Sequence, residues 1–340
     1  MEPSLAGAYG NARALYTDLL KPAELDALKG SSRDHFLSVL ETTNYKREID
    51  LLYNQYKLPE LIDVVVNTHF VANCNRMMML QPLFGRDVIS AYLSKIDLQN
   101  IKLILAAKMM GKSLELTEST LSVNRGFGLS ILSPLMTKED YLNLINQRDV
   151  NGMINYLTRY RYGRLFLRYA SDEGLSAISK RIDEYYYATL LDSVRFFDGT
   201  EGPIIRFIRS LIDIRNVILV MRRIENGNLA YKGGFLHGNI DMNQIQDATK
   251  VEDVLSHLPF KLDQALEDYK KEGLLSVFER SMKSQINRYY LGVFRQSANS
   301  VGFLLSFILN AEIERDTIRE AWFKIYYGME AQSSIWNSSI

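Results

Sequence analysis

Apolar residues recur at helical spacing along almost the whole chain. In DLQNIKLILAAKMMG, from Asp97 to Gly111, residues Ile101, Ile104, Leu105 and Met109 share one helical face, and Gly111 stands where a left-handed C-terminal cap is needed. Longer segments of the same kind are LPELIDVVVNTHFVANCNRMMML, SKRIDEYYYATLLDSVRFF and DQALEDYKKEGLLSVFERSMKSQINRYY. Short helical hairpins come before them. KPAELDALKGSSRDHFLSVL has Pro22 near a first turn, MTKEDYLNLINQRDVNGMINYL spaces Thr137 and Asp140 as a capping box, and TKVEDVLSHL repeats that box with Thr249 and Glu252. Alternating strand-like runs are scarce, so the pattern predicts an all-α protein.

The pattern is also repetitive. Asp97, Asn100, Ile101 and Gly111 match Asp213, Asn216, Val217 and Gly227 of DIRNVILVMRRIENG under one offset of 116 (213 − 97, 227 − 111). A third, looser copy, ERDTIREAWFKIYYG, places Glu314, Thr317, Ile318 and Gly328 at the same internal distances, at an offset of 217 (328 − 111) from the first. A unit that recurs whole must bury its apolar faces against its neighbours. Three pseudo-symmetric helical repeat domains are expected: 1–118, 119–232, and 233–340 with a polar tail from Gln332. The Gly-, Asn- and Ser-rich stretches around 116–130 and 226–239 serve as linkers.

Composition narrows the function. Of 340 residues 47% are hydrophobic, enough for a sizeable core divided among two or three units. Lys+Arg and Asp+Glu both number 40, and a neutral chain lacks the basic excess of a protein that neutralises phosphates, so no nucleic acid is expected. Cys74 is the single cysteine and has no internal disulfide partner. The opening MEPSLAGAYG has neither the basic charge nor the long apolar run of an export signal. The most apolar stretch, VGFLLSFILN from Val301, meets Glu312 and Glu314 well before the roughly twenty residues that a membrane-spanning helix needs. It is expected to be a buried helix, and any membrane contact to run through partners only.

Candidate chemistry falls away on inspection. Gly111, Lys112 and Ser113 imitate the end of a phosphate loop, but position 106 is Ala106 where a glycine is required, and a helix precedes it instead of a strand. His35, His69, His237 and His257 lack zinc-site spacing, and Asp241 with Asn243 lacks the glycine and distal glutamate of a calcium loop. No serine elbow or aspartate-rich metal motif exists, so no catalytic residue, metal or cofactor is expected. Asp97 and Asn100, at i and i+3, admit two readings besides catalysis: a helix-start cap, or a polar bond locking one helix to the next. Enzymes seldom triplicate an active site, which turns the repeated pair toward structure. In RYRYGRLFLRY, Arg161, Arg164 and Arg168 share a helical side with tyrosines between them. They suit an acidic partner surface, stacking on nucleic acid, or a solvated face paired with nearby acids, and zero net charge favours the last.

Taken in order, AYGNARALYTDLLKPAEL with LETTNY, DLQNIKLILAAKMMG, RIDEYYYATL, DIRNVILVMRRIENG and EIERDTIREAWFKIYYG resemble the C subunit of the archaeal-type (A/V-type) rotary ATP synthase. That family includes the d subunit of the vacuolar proton-pumping ATPase. The resemblance spans nearly the whole chain. It implies a funnel of three helical domains around a central cavity, receiving the central stalk and resting on the membrane proteolipid ring at the cytoplasmic face of the cell membrane. It further implies a non-catalytic coupling role in ion-driven ATP synthesis or ATP-driven pumping of protons or sodium. Two other classes share parts of the pattern: a free-standing helical-repeat adaptor, and an all-α enzyme, for which the acid, histidine and cysteine constellations are missing.

Overall fold

Helix is the only regular structure among the residues described by the computed structural model, which are 5–79, 83–111, 138–159, 174–195, 202–227, 236–256, 262–296 and 301–328. The α-helices are α1 (Leu5–Leu15), α2 (Pro22–Lys29), α3 (Phe36–Glu41), α4 (Lys46–Leu52), α5 (Glu60–Met79), α6 (Leu83–Met109), α7 (Lys138–Ile145), α8 (Val150–Leu157), α9 (Leu175–Ser193), α10 (Gly202–Glu225), α11 (Met242–Ile245), α12 (Val251–Ser256), α13 (Asp263–Glu272), α14 (Leu275–Gln296) and α15 (Val301–Tyr327). The expectation of an all-α protein holds for these residues.

Local chemistry sets the helix ends. Pro22 opens α2, where its missing N–H costs nothing, and Glu24 Oε2 accepts the Lys21 N–H at 2.6 Å. Asp149 starts α8 by accepting the Gly152 N–H at 2.8 Å. The helices that carry the three copies of the repeated motif, α6, α10 and α15 (the sentence helices, with Asp97, Asp213 and Glu314 as the sentence acids), end at Gly111, Gly227 and Gly328, with φ of 65°, 66° and 63°. A side chain disfavours that left-handed conformation, so glycine stops all three helices by the same means.

The chain packs as two compact units, one of Met1–Tyr186 with Phe307–Ala331 and one of Tyr187–Ser306. In the first, α4 packs on α5, α5 on α6, and α7 and α8 on α6. Its core joins Leu28, Phe36, Leu40, Tyr45 and Ile49 of the short N-terminal helices to Ile62, Val65 and Val66 of α5 and to Ile318, Ala321 and Trp322 of α15. Burial around its whole circumference makes α5 an interior helix. In the second unit, α14 packs against α10 and α13. Phe207 meets Tyr290 and Phe294 edge-on at 5.2 and 5.6 Å between ring centres.

The apolar opening of α15, Val301–Leu309, is buried throughout, as its length predicts. No described helix is long and apolar enough to cross a membrane. Asp97 and Asp213 lie deep inside α6 and α10, so neither caps a helix start.

Candidate functional site

Backbone and side-chain donors converge on the three sentence acids, which are only 3% (Asp97), 2% (Asp213) and 5% (Glu314) exposed. A buried carboxylate is tolerable only when donors surround it, and each acid finds them on a neighbouring hairpin. Asp97 Oδ1 accepts the Tyr141 hydroxyl of α7 at 2.7 Å. Asp213 Oδ1 accepts the Asn239 and Ile240 N–H groups at 2.9 and 3.1 Å, and its Oδ2 accepts the Asn239 side-chain amide at 3.0 Å. Glu314 Oε2 accepts the Leu20 N–H at 2.6 Å, and its Oε1 accepts the Tyr45 hydroxyl at 2.7 Å.

The polar partner three residues after the acid differs among the copies. Asn216 clamps the loop before α11 through the Leu236 carbonyl and N–H, at 2.7 and 3.0 Å. Asn100 is equally buried, yet its Nδ2 has no hydrogen-bond partner. Thr317 donates to the Ile313 carbonyl of its own helix at 2.7 Å. Asp and Asn thus work as a pair in the second copy, where both hold one loop. Of the two structural readings of the repeated pair, the bond between elements is the one seen.

Burial raises the pKa of Glu314 against the opposing pull of its bonds from Tyr45 and Leu20. Asp213 and Asp63 are raised chiefly by the same desolvation. Burial first, and the Glu314 charge next, push the Tyr45 phenol well above its ordinary value, so it stays a neutral donor. A carboxyl whose folded pKa is raised binds more protons folded than unfolded. Its contribution is complete below the unfolded value, near 4.5 for Glu, and is lost as pH rises through the folded value. Wild-type chain should therefore gain stability relative to Glu314→Gln as pH falls from neutral toward 4.5. Urea midpoints across that range check this, and a difference that widens in favour of wild type on raising pH contradicts it.

Ion pairs supply a second set of bonds that sequence reading missed. Lys102 of α6 pairs with Asp183 of α9, and Arg319 of α15 with Asp63 of α5. Glu312 receives Lys95 Nζ at 2.8 Å and the Tyr92 hydroxyl at 2.7 Å. One signal could have found the first two: Lys102 and Arg319 each follow their sentence acid by five positions.

The remaining candidates that lie among the described residues do not converge on a site. Arg161, Arg164 and Arg168 lie outside the described residues, as does His257. His69 is buried with Nδ1 3.1 Å from Glu48 Oε2, whereas His35 is exposed beside Ser32. The Cys74 thiol is fully buried and pushed far above its ordinary pKa by desolvation, which makes it inert. Among the described residues no three His, Cys, Asp or Glu side chains are placed to hold a metal ion. What these groups can do is hydrogen-bond and pair, and they do it with other helices of the same chain.

Among the described residues the fold is helical, and its repeated polar residues hold the chain's own hairpins and loops, which defines a helical-repeat protein. The chain belongs to the ATP synthase (C/AC39) subunit family, which residues 8–333 match. Members of that family are structural, non-catalytic parts of the complex. The chain is 32% identical to the C subunit of the A-type ATP synthase of Thermoplasma volcanium, covering 98% of this chain and 97% of the relative. The corresponding protein of Thermoplasma acidophilum is 29% identical over 97% and 96%. That of Methanocaldococcus jannaschii is 22% identical over 90% of this chain and 79% of the relative.

Proposed function

We propose that this chain is a coupling piece of an A-type rotary ATP synthase, a socket joining the central stalk subunits to the membrane proteolipid ring. In this reading it transmits rotation between ion flow and ATP synthesis or hydrolysis and transforms no substrate. The observation that carries it is the match to A-type ATP synthase relatives over essentially the full length of both chains. The interior agrees with the role. A part under torque must resist deformation, and close-packed helices cross-tied by buried polar bonds are stiff.

The same proposal places the protein at the cytoplasmic face of the membrane, peripheral and held there by its partners. It takes the three repeats, 1–118, 119–232 and 233–340, as the wall of a funnel, and Arg161, Arg164 and Arg168 as contacts to an acidic partner surface. The test mixes the full chain with detergent-solubilised proteolipid ring and, separately, with purified central-stalk subunits, each followed by size-exclusion chromatography. Co-migration with both is expected. Retention of neither overturns the socket, and would leave a free-standing helical adaptor.

A further inference from the structure

Residues 236–248, which comprise the loop on Asp213 and the short helix α11, are fastened to α10 chiefly through their main chain. Asp213 accepts the Asn239 and Ile240 N–H groups, and Asn216 bonds both the N–H and the carbonyl of Leu236. Farther along, Arg223 donates through Nη1 to the Gln246 carbonyl and through Nη2 to the Ala248 carbonyl, the latter at 2.9 Å. Asp213, Asn216 and Arg223 share one side of the helix and are 2%, 0% and 6% exposed. Among the described residues no carboxylate pairs with Arg223, so its buried charge rests on main-chain carbonyls.

The identity of the segment's own residues matters at few places. Gly238 passes so close to Asp213 that a β-carbon there would overlap the carboxylate. The Asn239 amide lies 3.2 Å from the Arg206 carbonyl, 3.1 Å from Ser210 Oγ and 3.0 Å from Asp213 Oδ2. From Leu236 to Ala248 only Ile240 and Ile245 are buried, and the rest are half-buried or exposed. The other two acids of the repeat differ, since Asp97 and Glu314 each hold a tyrosine hydroxyl. A carboxylate, an amide and a guanidinium set to bond N–H and C=O groups are the means by which a groove holds an extended peptide. Main-chain bonds give such a site its affinity, and the few positions with side-chain requirements give it selectivity.

We infer that the face of α10 from Arg206 to Arg223 is a peptide-recognition site for segments that carry glycine, asparagine and an apolar residue in succession, and that residues 236–248 are its exchangeable occupant. Asp213 requires the glycine, because no β-carbon fits against its carboxylate. The Arg206 carbonyl, Ser210 and Asp213 together select the asparagine amide, and burial of Ile240 selects the apolar side chain. A segment of that chemistry presented by another chain meets the same donors and acceptors once the occupant has left. The occupant is kept in place by its tether. A segment on the same chain faces its site at an effective concentration on the order of millimolar, so a free peptide well below that concentration does not displace it. The whole site lies within the second unit, and it does not depend on the coupling role proposed above.

The test supplies the segment in trans. In the full-length chain, Gly238→Ala unseats the chain's own segment from Asp213. The probe is a fluorescently labelled synthetic peptide of residues 236–248 in its natural sequence. It is expected to bind the variant about tenfold or more tighter than wild type, and to raise the urea midpoint of the variant while leaving that of wild type unchanged. Peptides with alanine at the Gly238 or Asn239 position should bind the variant about tenfold or more weaker than the natural peptide. Should Gly238→Ala fail to fold, Asn239→Ala takes its place, since it removes only the amide and adds no overlap. Equal binding to variant and wild type, equal binding of the alanine peptides, or no binding to either variant overturns the inference. No stalk or ring component enters the assay, so failure of the socket and failure of the peptide site are separate results.

Discussion

Trp322→Ala is expected to lower the stability of the chain by about 3–5 kcal/mol, the usual loss when a large aromatic is removed from a packed core. Trp322 is 1% exposed, its ring centre is 5.0 Å from those of both Phe36 and Tyr326, and its indole N–H donates to the Pro59 carbonyl at 3.1 Å. It therefore joins the last helix to the first hairpins and to the start of α5 at once. Alanine leaves a cavity between elements that are far apart in sequence, and deprives the Pro59 carbonyl of its donor. The loss is read as a drop in urea midpoint, and amide exchange should accelerate in α2, α3 and the last turns of α15 together. A loss below about 1 kcal/mol, or faster exchange confined to α15, would show that the last helix is not seated in that core.

Gly238→Ala should be nearly as damaging, costing about 3 kcal/mol or more, for a steric and then an electrostatic reason. A β-carbon on Gly238 would sit 1.9 Å from Asp213 Oδ1 and 3.1 Å from the Arg209 carbonyl oxygen. The carboxylate cannot hold its place, and turning it away gives up the Asn239 and Ile240 N–H bonds while leaving a buried acid with fewer donors. The matched control is Gly292→Ala, on the exposed face of α14, where nothing lies within 4 Å of the added carbon. Removing a helical glycine there should stabilise by up to about 1 kcal/mol. Thermal or urea unfolding of the pair separates the outcomes, and equal midpoints for the two variants would refute the tight seating of the loop on Asp213.

Some of this could be read before any coordinates. The caps at Gly111, Gly227 and Gly328 follow from a local rule, and the left-handed φ at all three obeys it. The buried character of Val301–Leu309 followed from the length of its apolar run alone. The sequence also picked out Asp97, Asp213 and Glu314 as equivalent. It could not say what they hold. Tyr45 and Glu314 are separated by 269 positions, and nothing near either residue marks the other as its partner. The helix-start reading of Asp97 failed because a capping aspartate and a buried mid-helix aspartate look alike until the helix length is known. Gly238 does not stand out within a glycine-rich linker, since its importance depends on which carboxylate lies beside it.

The amino-acid sequence by itself determined the helical class, the punctuation of the helices and the recurrence of the acid-to-glycine motif at three places, because these depend on spacings within a few turns of chain. Only the tertiary structure decided which hairpin each acid holds, which cation meets which carboxylate, and that the last helix completes the core of the first. Those pairings are settled by the free energy of burying charge and apolar surface between distant segments. No short-range period in the sequence records it.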